Sequence, residues 1–505
     1  MKTKFCQRGS LTVPAVLLIF AIILLGIIGF WWGLSLNKQQ QMATDTDVIP
    51  GPRDVPIIIY LVDTLRADRL GVYGYSGATS PQIDALAANS VVFDQAYAPA
   101  PWTLPSVASL LTSTFICEHR IIKDDGKLHD SLETLGEKLR RSGYSTGGFY
   151  RNPWIGSPTG LNRGFDVYGY IPPEDQDQVP AAVRGFLHNA GAKPPFLYLH
   201  TMEPHDTHKT PWRFIDDLGT VGAFQKEDYK NLILRYTRLT QVDWKNDVPI
   251  GTTDNTAELS EVSASLENMQ ESIDLLYDAS VRWADTNLAD VITALKASGV
   301  WNDAIFIFLS DHGEEMGEHG GWFHGQSIYE ELAHVPLIIH FPGGEYGGRR
   351  IARPVSLVDL MPTILDLTGR SGMCEGCRGT SLVPLLNGKY DTGDLTVPIP
   401  AIRLNHGFYY RPFKENRGDL NVVIRRDQWK GIWNDEPGTL ELYDLAADPG
   451  EQSDVNGQHP ELVQEMSDYA RSWLKDCQAN AAAPEQAEEM DEETKERLRA
   501  LGYLD

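Results

Sequence analysis

Three short, almost continuously apolar runs limit what this chain can become. Residues 55–62 (VPIIIYLV), 195–200 (PFLYLH) and 304–310 (AIFIFLS) have no polar face. Each therefore fits a parallel strand covered on both sides better than a half-solvated one. Each run gives way to polar residues: Asp63 and Thr64 after the first, Glu203, Pro204 and His205 beyond the second, and Asp311, His312, Gly313 and Glu314 after the third. In open α/β sheets ligands bind outside the carboxyl ends of the strands, so these three clusters are expected to converge on one edge. Helical stretches lie between them, among them 131–142 and the long amphipathic 269–298. The alternation predicts an α/β fold, a mostly parallel sheet sandwiched between helices.

A fourth stretch, residues 96–113 (AYAPAPWTLPSVASLLTS), supplies a hydroxyl for that edge. A strand-like run at 90–95 leads in, and Pro105 sits in the first turn of a helix that continues through Leu111. Thr103 is thus expected just ahead of a helix N-terminus, where N–H groups and the helix dipole favour an anion. Alone it reads as an N-cap or as a nucleophile. Asp63, Asp311 and His312 tip that choice, because two carboxylates and an imidazole make a mixed oxygen and nitrogen site for one divalent cation. Thr103 completes it, and a cation there lowers the pKa of the hydroxyl.

Charge excludes one class of partner. With 69 acidic against 44 basic residues and a net charge of −25, the chain has no basic face for nucleic acid. Its 505 residues suit one large domain with a smaller appendage. At the N-terminus Lys2, Lys4 and Arg8 precede an uncharged, mainly apolar run at 13–36 that ends near Trp31 and Trp32. This pattern predicts a cytoplasmic tail (1–12), an uncleaved transmembrane anchor (13–36) and a linker (37–53). The expected location is the cell membrane, single-pass, with the catalytic domain outside the cytoplasm, periplasmic or extracellular. Among five cysteines, Cys374 and Cys377 form a CxxC expected to be a local disulfide, while Cys117 and Cys477 either pair or stay buried and free.

Residues 63–75 (DTLRADRLGVYGY), 80–87 (SPQIDALA), 102–112 (WTLPSVASLLT) and 310–320 (SDHGEEMGEHG) stand in the order of the motif blocks of the sulfatase family, within the alkaline phosphatase superfamily. The resemblance continues through 329–339 (YEELAHVPLII), 355–363 (VSLVDLMPT) and 442–451 (LYDLAADPGE), and covers about residues 56–454. It implies an alkaline phosphatase-like fold. It makes Asp63, Asp311 and His312 metal ligands, puts Thr103 at the nucleophile position, and matches His205 to a substrate-contacting histidine. His324 falls near a family lysine that binds the ester oxygens, one position out of register. Asn152 replaces another family lysine, with Arg151 beside it to supply the charge.

The departures narrow the chemistry. Usual sulfatases carry cysteine or serine where this chain has Thr103, matured to formylglycine, and an arginine where it has Val107. Threonine cannot become formylglycine, and threonine at this position resembles the phosphoryl-transferring relatives of the superfamily. Three readings are open: a sulfate or phosphate ester hydrolase working through Thr103, a transferase that passes a phosphoryl group to an alcohol acceptor of the envelope, and a decayed sulfatase that binds without turnover. The substrate is expected to be a small-molecule, glycan or lipid ester. Histidine at position 312 favours manganese or zinc, with calcium or magnesium as alternatives.

The remaining layout is read as a catalytic domain at 54–395 with a variable insertion at about 206–267. A small C-terminal antiparallel sheet plus helix is expected at 396–478, with strands at 401–411, 420–426 and 440–445, then a linker and short tail helix at 479–505. Nothing in the sequence fixes the oligomeric state.

Overall fold

Isoleucine and valine fill strand β1 (Ile57–Val62), all of it buried. Side chains alternate across a strand, so Ile57, Ile59 and Leu61 enter one core while Ile58, Tyr60 and Val62 enter another on the opposite face. The computed structural model describes residues 54–121, 126–172, 178–205, 207–218, 256–325, 327–388, 421–435, 438–483 and 492–500, with residue 231 and the pieces 242–243, 248–249, 396–398 and 485–486.

Eight further strands join β1: β2 (Val91–Tyr97), β3 (Ser145–Tyr150), β4 (Val167–Tyr170), β5 (Pro195–Thr201), β6 (Ile305–Leu309), β7 (His334–His340), β8 (Arg349–Ile351) and β9 (Val355–Ser356). The nine-stranded sheet runs β8-β2-β7-β6-β1-β5-β3-β4, with β9 also on β2. Among these strands β7 alone is reversed, antiparallel to both β6 and β2. The three apolar runs are hydrogen-bonded neighbours, since β1 pairs in parallel with β5 on one side and β6 on the other. Leu61 is level with both His200 and Leu309. That shared register brings the three polar clusters to one edge.

Helices cover both faces. Helix α1 (Pro81–Ala87), α3 (Gln178–Ala190) and α4 (Gln270–Ala297) pack on the Tyr60 side, and α2 (Thr103–Thr112) and α5 (Leu360–Leu367) on the Ile59 side. Helix α4 buries Ile273, Leu276, Tyr277, Ala284, Leu288, Val291 and Leu295, the three-and-four spacing of one helix face. It stops where Gly299 takes a left-handed φ of 73°, which a side chain would oppose.

The membrane reading is corrected. The span expected at 13–36 lies outside the described residues, and among the described residues no helix is long and apolar enough to cross a membrane. Even the 28-residue α4 carries Asp274, Asp278, Asp285, Asp290 and Lys296, and its apolar side is taken up by the sheet. The fold gives no support to membrane anchoring, to the membrane as a partner or to a single-pass location.

The C-terminal part folds as an antiparallel sheet, β10 (Thr396–Pro398), β11 (Asn421–Arg426), β12 (Trp429–Asn434) and β13 (Thr439–Asp444), under helix α6 (Pro460–Ala479). The sequence pattern does not announce strand β12, because lysine and glycine interrupt it; the strand expected at 401–411 lies outside the described residues. Within the expected linker, Glu485 and Gln486 pair with Lys127 and Gly126.

Both disulfides form, Cys374 to Cys377 and Cys117 to Cys477. The second fastens α6 to the segment after α2, where Phe115, Ile116, Val422, Trp433, Leu442, Met466 and Leu474 share a core. A crosslink across 360 residues restricts the unfolded chain strongly. Replacing both cysteines by alanine should therefore lower stability by about 2–4 kcal/mol and leave turnover near wild type. Urea unfolding followed by tryptophan fluorescence measures this, and an unshifted midpoint would show the bridge to be thermodynamically idle.

Candidate active site

The first turn of the site is held in an unusual conformation. Thr64, directly after Asp63, has a φ of 54°, a left-handed value that costs a non-glycine residue about 1–2 kcal/mol. Tyr277 of α4 bridges the turn, donating its hydroxyl to the Thr64 carbonyl at 2.6 Å and accepting from the Arg66 N–H at 3.0 Å. Ser310 accepts from the Leu65 N–H at 2.9 Å, which locks this turn to the end of β6. Asp63 and Asp311 are thereby fixed opposite one another, both fully buried.

After β6 the chain turns beneath the site. His312 Nδ1 lies 2.9 Å from the Gly313 carbonyl and so carries the hydrogen, leaving the Nε2 lone pair facing inward. Nε2 is 3.5 Å from Asp63 Oδ1 and 3.6 Å from Asp311 Oδ2. Burial, and then the neighbouring His324, push the His312 imidazole down to about 3, so it is neutral at ordinary pH. Gly313 is required here, since a Cβ would lie 1.9 Å from the Glu331 carbonyl oxygen.

Thr103 is the first residue of α2, with Trp102 as the cap position. The sequence pattern puts it one step earlier. It makes no capping bond; instead its Oγ1 is 3.3 Å from His312 Nε2 and 3.5 Å from Asp63 Oδ2, and it accepts from Asn152 Nδ2 at 3.2 Å. Ser106, one turn into the helix, donates to the Asp311 carbonyl at 2.7 Å. Val107 is fully buried in the core, so no cation stands at that position.

Asn152 and Arg151 divide their expected roles. Asn152 Nδ2 also donates to Asp63 Oδ2 at 2.7 Å, which puts the amide inside the site. Arg151 forms a buried ion pair with Glu203 and lines, with Met202, Pro204, Lys209 and Trp283, an adjoining cavity of about 600 Å³. His205 and His324 face each other with ring centroids 5.0 Å apart, and His324 is 4.7 Å from His312. Glu314 Oε1 is 2.9 Å from His324 Nδ1, and burial first of all raises the Glu314 carboxyl to about 8.

His200 is a site residue that sequence reasoning misses. The last residue of the second apolar run, it lies 3.1 Å from Asp63 Oδ2 through Nε2 and 3.0 Å from the Tyr198 hydroxyl through Nδ1. Its signal is present, a histidine closing a buried strand at the very edge where the other clusters are expected.

These residues fit a divalent ion. Ligand atoms of Asp63, His200 and Asp311 lie within 4.8 Å of one another. Asp63 Oδ1 and Asp311 Oδ2 are buried and take no hydrogen bond, a costly arrangement for carboxylates that a cation relieves. The pair has opposed titrations. Burial, together with the negative charge of Asp63, holds Asp311 well above the usual carboxylate range. Burial also acts upward on Asp63, but the His200 hydrogen bond and the nearby histidines outweigh it and hold Asp63 low. Like charges this close share a proton.

The family model for sulfatases matches residues 56–370, well over half of the chain. The chain belongs to the sulfatase family. A second model, the C-terminal part of N-sulphoglucosamine sulphohydrolase, matches residues 317–479. Arylsulfatase K of Danio rerio is 26% identical over 425 residues, covering 78% of each chain. Phosphonate monoester hydrolase of Agrobacterium radiobacter has the same fold, with a TM-score of 0.61 at 22% identity over 84% of this sulfatase and 96% of that structure. A protein solved with its substrate D-glucosamine-2-N,6-O-disulfate gives 0.64 at 20% identity, over 84% and 99%.

Loading this protein with metal should release a proton. In the metal-free protein burial and the charge of Asp63 favour the protonated form of Asp311, and only its ionised form is a ligand. Apparent affinity should therefore rise about tenfold per pH unit until Asp311 ionises in the metal-free state. Calorimetry in buffers of different ionisation enthalpy gives the proton count, and binding with no proton released just above the usual carboxylate range would contradict it.

Proposed function

We propose that this sulfatase is a metal-dependent ester hydrolase in which Thr103 is the nucleophile and phosphate esters are the better substrates. The observation that carries the reading is Thr103 Oγ1 itself. It is nearly buried, at the start of a ten-residue helix, and in contact with Asp63, Asn152 and His312. A divalent ion held by Asp63, His200, Asp311 and His312, zinc or manganese from its mixed donors, would supply positive charge beside the nucleophile and the ester oxygens.

Asn152 and the N–H groups that open α2 orient the transferring group against Thr103 Oγ1. That oxygen passes its proton to solvent and attacks phosphorus or sulfur, the bond to the alcohol oxygen breaks, and the alcohol takes a proton from His205 or His324, which regains one from the water that attacks next. Water then attacks the threonine ester, restoring the hydroxyl and freeing the inorganic anion. A threonine ester is resolved only by a second displacement at phosphorus or sulfur, a step for which phosphate is well suited. The catalytic unit is taken as residues 54–395, and the cavity beside Arg151 and Glu203 as the seat of the alcohol portion.

Matched aryl phosphate, phosphate diester and sulfate esters, offered to metal-loaded full-length protein, test this. Phosphate release without added alcohol is expected, with sulfate slower. Release only when an alcohol acceptor is present would mean a transferase, and no turnover of any ester by the loaded protein would leave a binding protein.

A further inference from the structure

We propose that His319, Glu331 and Glu451 form a second divalent-cation site, structural in role, which ties the loop after Asp311 and His312 to the C-terminal sheet. The three come from separate pieces of chain: the hairpin loop between Met316 and Trp322, the short helix Glu330–Ala333, and the turn following β13. One ligand atom from each lies within 4.8 Å of the others. Their side chains are only 8%, 9% and 0% exposed.

The spacing is that of ligands and not of a hydrogen bond. His319 Nε2 and Glu331 Oε2 stand 3.4 Å apart, and both are buried without a hydrogen bond. Two donors about 2.1 Å from a tetrahedral zinc ion are separated by about 3.4 Å. The imidazole is already oriented, stacked on Tyr329 at 3.7 Å between centroids.

Charge points the same way. Lys430 of β12 is shared between Glu330, at 2.9 Å, and Glu451, at 2.8 Å, and Arg425 acts on Glu330 from farther off. Neither cation is within ion-pair reach of Glu331, whose ion-pair partner here is His319, while Arg66 acts on it from farther off. Glu330, Glu331 and Glu451 together outnumber Lys430 and Arg425 by one charge, so the cluster stays negative and would attract a cation held by His319, Glu331 and Glu451. One nitrogen and two carboxylates suit zinc, with water in the fourth position.

Zinc content of the full-length protein after dialysis tests the proposal. Two ions per chain are expected in wild type and one in Asp63→Asn/Asp311→Asn, which disables only the first site. X-ray absorption of the ion left in that variant should show a single imidazole with oxygen donors. Adding His319→Gln, or separately Glu331→Gln, should remove it while circular dichroism shows the fold retained. No zinc in Asp63→Asn/Asp311→Asn, a bound ion with two or more imidazoles, or an ion that survives both added substitutions would each overturn the assignment.

Discussion

Replacing Thr103 by alanine should cut turnover of the best ester by at least about a thousandfold while leaving the fold in place. The side chain caps nothing, so the cost in stability is that of a buried hydroxyl and its hydrogen bonds, about 1 kcal/mol. The catalytic cost is different in kind, because no other hydroxyl is placed by Asn152 against Asp63 and His312 among the described residues. Thr103→Ser keeps the attacking oxygen and should stay well above alanine. Steady-state rates of the two variants, with folding checked by circular dichroism, decide the matter. Alanine within about tenfold of wild type, a barrier change of about 1.4 kcal/mol, would mean that another group attacks.

Asp311→Asn should have opposite effects on binding and stability. The amide oxygen can still accept the His312 N–H, which lies 3.0 Å from Asp311 Oδ1, but the anionic ligand is gone. Metal affinity and turnover should fall by orders of magnitude. The metal-free protein should be no less stable than wild type, since the cost of burying an ionisable carboxyl against Asp63 is gone. In wild type, metal at about a hundredfold above its Kd adds about 2.7 kcal/mol of stability, and that gain should vanish in the variant. Thermal unfolding with and without zinc reads both effects. A variant that kept the full metal-dependent gain would remove Asp311 from the ligand set.

What can be read in the sequence comes from local pattern. The runs at 57–62, 195–201 and 305–309 announce themselves as buried parallel strands, and their shared edge follows from the fold class. Thr103, Asp63, Asp311 and His312 are reached that way, with motif order in support, while Asn152 comes from the family resemblance alone. Contacts made across the fold are not legible. His200 matters because β5 pairs in register with β1 and points it at Asp63, a fact of pairing and not of composition. The sequence gives no sign that Arg151 pairs with Glu203, 52 residues away, in a buried contact. Cys117 and Cys477 are left either paired or free by the sequence, because cysteine counts do not determine connectivity, and the fold decides for the pair.

The bridge between Cys117 and Cys477 also governs how this molecule behaves when its backbone is cut. A protease that cleaves one peptide bond anywhere between those cysteines leaves two pieces still joined through sulfur. Gel electrophoresis without reductant would then show a single band of unbroken mass, and adding dithiothreitol would separate the fragments. Digestion of the surface can therefore go unseen, and a preparation judged whole under non-reducing conditions can already consist of clipped molecules held in one covalent body.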